Sequence, residues 1–182
     1  NAVLDGTCAV MLSGETANGE FFEEAVNMMS NTCLEAEAMI DYDRTHTYIR
    51  SEVLKSGSMS LNESVASSGV QTAYDVNAKL IVCITKTGVT ARLVAKYRPK
   101  QPIMVVCNTG NVATQSMGCI KGVRACLERE DLSPIQAPAS IEYAKELGIV
   151  KPGDVVVVIR GSQELANTAG RTNLIHVTYV PE

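Results

Sequence analysis

Tryptophan is missing from this 182-residue chain, and phenylalanine occurs only twice, as Phe21-Phe22. The core must therefore be aliphatic, drawn from Val, Ile, Leu, Ala and Met. Histidine is almost as scarce, with His46 and His176 far apart in the chain, and the six cysteines contain no Cys-x-x-Cys pair. Both absences exclude a structural zinc site of the usual spacing. No apolar run approaches the roughly 18 residues of a membrane helix, and the opening residues lack a secretory-leader pattern. An excess of positive charge is missing too: 16 Lys and Arg face 20 Asp and Glu, for a net charge of −4. A general nucleic-acid binder would need a basic stripe to displace counterions, so that class is excluded, although a local basic pocket is not. Neither an internal repeat nor a low-complexity tract is present. Cys8, Cys83 and Cys107 sit in apolar runs and read as buried free thiols, which points to a reducing, cytoplasmic setting.

What is present is an alternation of helical and strand patterns. The chain opens abruptly on Ala9–Leu12, which reads as a buried strand and suggests an excised piece of a longer protein. Phe22, Val26, Met29, Cys33, Ala36 and Ile40 recur at spacings of three and four and predict a helix over residues 21–40. Residues 42–60 are polar and irregular and read as a linker, with His46 solvated inside it. Next comes a helix over 61–77, with Asn62 as its cap, and then a strand over 80–84. Residues 90–97 predict a helix stopped before Pro99, followed by strand 103–107 and helix 111–118. Strand 122–127, helix 139–147, strand 154–159 and a last strand over 173–180 complete the pattern. Such alternation implies an α/β fold: a mostly parallel five-stranded sheet with helices on both faces, whose ligands lie beyond the carboxyl ends of the strands.

Thr85-Lys86-Thr87-Gly88-Val89-Thr90 follows a strand and opens a helix. Backbone N–H groups at such a start favour an anion, Gly88 allows close approach, the hydroxyls donate and Lys86 brings a point charge. The plainer reading is an ordinary Thr-capped loop. Ser13 and Glu15 would sit at the carboxyl end of the first strand, where they either border an active site or only fix the loop and cap the following helix. Residues 173–180 alternate in a way that suits a sheet edge, carry no Lys or internal Pro to block edge pairing, and predict self-association. His176 within them reads as a surface or interface residue.

The stretch Asp5-Gly6-Thr7-Cys8-Ala9-Val10-Met11-Leu12-Ser13-Gly14-Glu15-Thr16-Ala17 resembles a signature near the end of the pyruvate kinase catalytic barrel. The resemblance continues in order through Glu24-Ala25-Val26, Glu35-Ala36-Glu37-Ala38, Ile84-Thr85-Lys86-Thr87-Gly88, Tyr97-Arg98-Pro99 and Gly153-Asp154. Cys8, where an Asp is usual, and Phe21-Phe22, in place of a Tyr-Pro pair, depart from the family pattern.

The resemblance implies a barrel remnant over 1–41, a linker over 42–60 and a C-terminal regulatory domain over 61–182. It implies a tetrameric cytoplasmic parent enzyme of glycolysis that transfers phosphoryl from phosphoenolpyruvate to ADP with Mg2+ and K+. The family's catalytic lysine, metal carboxylates and potassium site would precede this sequence, leaving effector binding and subunit association here, with no catalytic or metal-binding residue. The 85–90 loop would hold the phosphate of an allosteric effector. Arg160, Gly161 and Arg171 fall on the family's effector loop, where the two arginines would meet a second phosphate. Gln136 stands where fructose-bisphosphate-responsive relatives carry Arg. The effector thus stays open among a fructose bisphosphate, another sugar phosphate, a nucleotide or none. An oligomerisation-only module with a degenerate pocket and a free-standing phosphosugar-binding protein are the alternatives.

Overall fold

Five short runs rich in Val and Ile become strands: β1 (Leu80–Ile84), β2 (Ile103–Cys107), β3 (Val123–Glu128), β4 (Val155–Arg160) and β5 (Leu174–Tyr179). They form one sheet in the order β3-β2-β1-β4-β5, parallel except for β5, which runs antiparallel to β4. The computed structural model describes residues 1–132, 136–161 and 172–182, residue 136 by its backbone alone. Every residue of β1 and β2 is buried, as continuous apolar runs require of strands covered on both faces. Edge strand β3 alternates buried with exposed or half-buried residues, and β5 has no fully buried residue.

The helices are α1 (Gly14–Ala17), α2 (Phe22–Ala38), α3 (Tyr42–Lys55), α4 (Leu61–Asp75), α5 (Val89–Lys96), α6 (Gly110–Cys119) and α7 (Gln136–Glu146). One core joins Ala66, Val70 and Ala73 of α4 and Ala91 and Val94 of α5 to Ile81, Cys83, Ile103, Val105, Val157 and Ile159 of the sheet. Val112 and Ala113 of α6 pack against the same core. The opposite face packs Leu80, Val82, Met104, Val106, Val156 and Val158 against Ile141 and Ala144 of α7. Burying one such aliphatic side chain is worth about 1.5–3 kcal/mol, so two full layers make the sheet the stable part of the molecule. Small residues let α4 approach closely: a Cβ at Gly69 would run into the Ile159 side chain.

Residues Asn1–Asp41 and Tyr42–Glu182 form separate compact units. In the first, the strand read over residues 9–12 is not formed: they carry no ladder and lie largely exposed. A strand needs a neighbour to satisfy its backbone, and residues 1–41 supply none. Cys8 is exposed, against the expectation of a buried thiol, while Cys83 and Cys107 are buried as expected. The predicted helix forms as α2, but none of its residues is fully buried: Phe22 and Val26 of its apolar stripe are exposed, and Met29, Cys33 and Ala36 are half-buried.

The second unit corrects two further expectations. Residues 42–55, read as irregular, are helix α3, and His46 is 1% exposed instead of solvated. The cap of α4 is Ser60, whose hydroxyl accepts the Glu63 N–H at 3.3 Å, and not Asn62.

Candidate anion site at the switch point of the sheet

The chain leaves β1 toward β2 and β3 on one side, then returns to place β4 on the other side of β1. The topological switch point, where open α/β sheets bind ligands, thus lies between the carboxyl ends of β1 and β4. Cys83 of β1 is in register with Ile159 of β4, so the next residues onward are the two predicted loops, Thr85–Gly88 and Arg160-Gly161.

Gly88 adopts a left-handed backbone (φ 77°) and is the N-cap of α5. This conformation, with Val112 and Ser116 close around its missing Cβ, explains why a glycine stands there. The first bond within α5 runs from the Arg92 N–H to the Gly88 carbonyl, so Val89, Thr90 and Ala91 start the helix with N–H groups that have no intrahelical acceptor. Those groups and the helix dipole favour an anion in front of α5. Lys86 and Thr87 are exposed at the tip of the loop.

The buried hydroxyls of the loop are already in use. Thr85 Oγ1 accepts the Gly88 N–H at 3.1 Å and closes the turn on itself. Thr90 Oγ1 lies 2.6 Å from Thr172 Oγ1, both residues being buried. Thr172 in turn donates its N–H to Asn62 Oδ1 at 3.0 Å. Thr90 therefore holds down the return of the chain into β5, and Asn62 works as a second anchor for that return. Neither Asn62 in this role nor Thr172 was predicted. No local pattern gives them away, because each bond joins distant parts of the chain. Arg160 is half-buried and donates from Nη1 to the Gly161 carbonyl at 3.2 Å, curling over its own loop. Arg171 lies outside the described residues, as does the side chain of Gln136.

Ser13 and Glu15 belong to the other unit, where they act on their own loop. The Ser13 N–H donates to Glu15 Oε2 at 3.0 Å, and Ser13 makes no side-chain cap to α1. Bonds from its own N–H and that of Ser13 hold the Glu15 carboxyl below the usual glutamate range. These bonds fix the loop by way of Glu15.

Other chemistry is muted. Burial pushes the thiols of Cys83 and Cys107 up, and that of Cys126 up to about 11, away from nucleophilic thiolate character. Among the described residues no group of three or more His, Cys, Asp or Glu side chains could hold a metal ion. No described helix is long and apolar enough to cross a membrane.

Known proteins share both the sequence and the fold. The family described as "Pyruvate kinase, alpha/beta domain" matches residues 63–178. Pyruvate kinase of Eimeria tenella is 42% identical over 181 residues, covering 99% of this chain and 33% of that protein. That of Dictyostelium discoideum is 38% identical over 183 residues, covering 100% of this chain and 36% of that protein. A crystal structure of a pyruvate kinase from Cryptosporidium parvum matches with a TM-score of 0.88 at 39% identity, over 99% of this chain and 34% of that one. The chain thus spans about a third of the length of the relatives it matches. With relatives about 40% identical along its whole length, a closely similar solved fold and a family match over most of its second unit, this chain belongs to the pyruvate kinase family.

Proposed function

We propose that this chain is the end of the catalytic barrel (1–41), a connecting segment (42–60) and the regulatory domain (61–182) of a cytoplasmic, tetrameric glycolytic pyruvate kinase. The whole enzyme would pass phosphoryl from phosphoenolpyruvate to ADP with Mg2+ and K+. A relative's structure, that of the Cryptosporidium parvum enzyme, is described in complex with ADP. The residues present here would bind a phosphorylated effector and associate with other copies, without catalysing the reaction. The observation that carries this reading is the loop 85–88 at the switch point, with Gly88 opening α5 and Lys86 and Thr87 exposed in front of it. Lys86 and the α5 N–H groups would take one phosphate, and Arg160 with Arg171 a second.

One observation favours the oligomerisation-only reading: Thr85 and Thr90 spend their hydroxyls inside the fold. The exposed residues Leu174, Val177 and Tyr179 of edge strand β5 support association under either reading. The match of relatives through residues 1–41 speaks against a free-standing binding protein.

Calorimetry of the full chain against fructose bisphosphates, other sugar phosphates and nucleotides separates the readings. Binding that falls roughly 10-fold or more in Lys86→Ala and Thr87→Ala supports the effector site, since a charge-assisted hydrogen bond contributes about 1.5–3 kcal/mol. No binding across the panel, with a dimer that Val177→Lys dissociates, leaves association alone. Robust phosphoryl transfer by the 182 residues would overturn the division of labour.

A further inference from the structure

His46 is the one buried residue of α3, so the attachment of this polar helix centres on its imidazole. Nε2 lies 3.1 Å from the Ser67 carbonyl oxygen of α4 and 3.4 Å from the Ser67 hydroxyl. A carbonyl only accepts, so Nε2 carries the proton. The ring packs at 5.5 Å from the Tyr97 ring, just past α5, and edge-on at 6.1 Å from the Tyr74 ring of α4. Nδ1 is buried with no hydrogen-bond partner among the described residues. The neutral ring tolerates this, because Nδ1 is then a bare lone pair. The imidazolium would place an N–H and a full charge there without an acceptor.

Among the described residues no carboxylate is hydrogen-bonded to the ring. Arg50, one turn along α3, donates to the Ser67 hydroxyl at 2.8 Å and adds positive charge to the same spot. Glu63 of α4 is committed to Lys96 of α5 and to the Tyr97 hydroxyl. The Lys96 bond holds the Glu63 carboxyl below its usual range. Burial holds the ring below the ordinary histidine range, helped by Arg50; the Ser67 carbonyl bond, and after it Asp43 of α3 and Asp75 of α4, favour protonation but do not outweigh that burial. Burial pushes the Tyr74 and Tyr97 hydroxyls up to about 12, so both stay neutral under any mild condition.

We propose that His46 is an acid-sensitive latch, fastening α3 onto α4 and Tyr97 only while its ring is neutral. Opening of α3 exposes the ring, which then takes a proton from water. The closed state has the lower proton affinity, so the latch is fully stable above the ordinary pKa of about 6.5. It weakens as pH falls below that value, until the closed state protonates as well. Within this window each pH unit favours the open form up to about tenfold.

Hydrogen exchange of the full chain, corrected for intrinsic rates, tests the latch at pH 7.5 and 5.5. The expected result is faster exchange across 42–55 at pH 5.5, by up to about tenfold, with β1 and β2 unchanged. In His46→Asn and His46→Phe the extra acid-induced opening disappears, whatever the baseline. Should both variants fail to fold, NMR titration of the wild-type imidazole decides. A His46 midpoint below 6.5, with α3 amides moving along the same curve, supports the latch. A midpoint at or above 6.5, α3 amides that do not follow the ring, or the same pH response in a folded variant, overturns it.

Discussion

Helices α2 and α4 are of similar length and both carry apolar residues at helical spacing, yet they end differently. Helix α4 buries Ala66, Ser67, Gly69, Val70 and Ala73, whereas α2 buries nothing and leaves Phe22, Val26, Met28 and Leu34 exposed. In residues 1–41 only Val3 is buried, while in the second unit two layers of side chains close over the sheet. The lesson concerns what periodicity means. A stripe at spacings of three and four states which face of a helix needs covering; it does not supply the cover. In α4 the sheet meets that need within the same unit. The stripe of α2 meets no equivalent layer within these 41 residues.

The most direct way to break this contrast is to truncate one side chain in each unit. Ile159, fully buried in β4 beneath Gly69, should cost about 2–5 kcal/mol as Ile159→Ala, through lost burial and the cavity left behind. Met28 in α2, 70% exposed, should cost no more than about 0.5 kcal/mol as Met28→Ala. Urea unfolding of both variants, followed by circular dichroism, gives the comparison. Equal losses would mean that α2 is covered in solution and that the contrast is false.

How much of this was legible in the sequence follows from the same distinction. Apolar β-branched runs such as Val155-Val156-Val157-Val158-Ile159 announce a buried strand without help, and all five strands of the sheet fall where they were expected. Residues 9–12 look equally strand-like, but pairing is a property of two segments and the second is not among these residues. Helix α3 was hidden because the residue it buries is a histidine; counted as apolar, His46 completes a stripe of Tyr42, His46, Ile49 and Val53 at helical spacing. The site was half legible. Gly88 and the loop position were readable from strand-Gly-helix order. The uses of Thr90 and Asn62 were not, because Thr172, which fixes both, is 82 and 110 positions away.

A smaller effect sharpens the contrast inside the second unit. Thr90→Val leaves the buried Thr172 hydroxyl without its partner and should cost about 1–3 kcal/mol, the penalty for an unsatisfied buried group. Replacing both threonines by valine removes donor and acceptor together, so the double variant should lose less than the sum of the singles. A double-mutant cycle measures this coupling. Strict additivity would show that the two hydroxyls do not share a bond, and that another contact anchors the return into β5.

The smallest effect belongs to the first unit. Glu15 holds the Ser13 N–H and its own from an exposed position, and these bonds keep its carboxyl below the ordinary range. A carboxyl whose folded pKa is depressed contributes fully above its unfolded value of about 4.5, and that contribution fades as pH falls through the folded value. The window therefore lies lower than that of His46, whose influence begins below about 6.5. An NMR titration of the full chain should show the α3 amides responding first and the Ser13 amide only at more acidic pH. In Glu15→Gln the low-pH movement of Ser13 should vanish while global stability stays unchanged, since nothing in α1 is buried for the loop to hold in place. If Ser13 instead moved at the same pH as α3, or kept its low-pH movement in Glu15→Gln, the Glu15 carboxyl would not be the group that holds it.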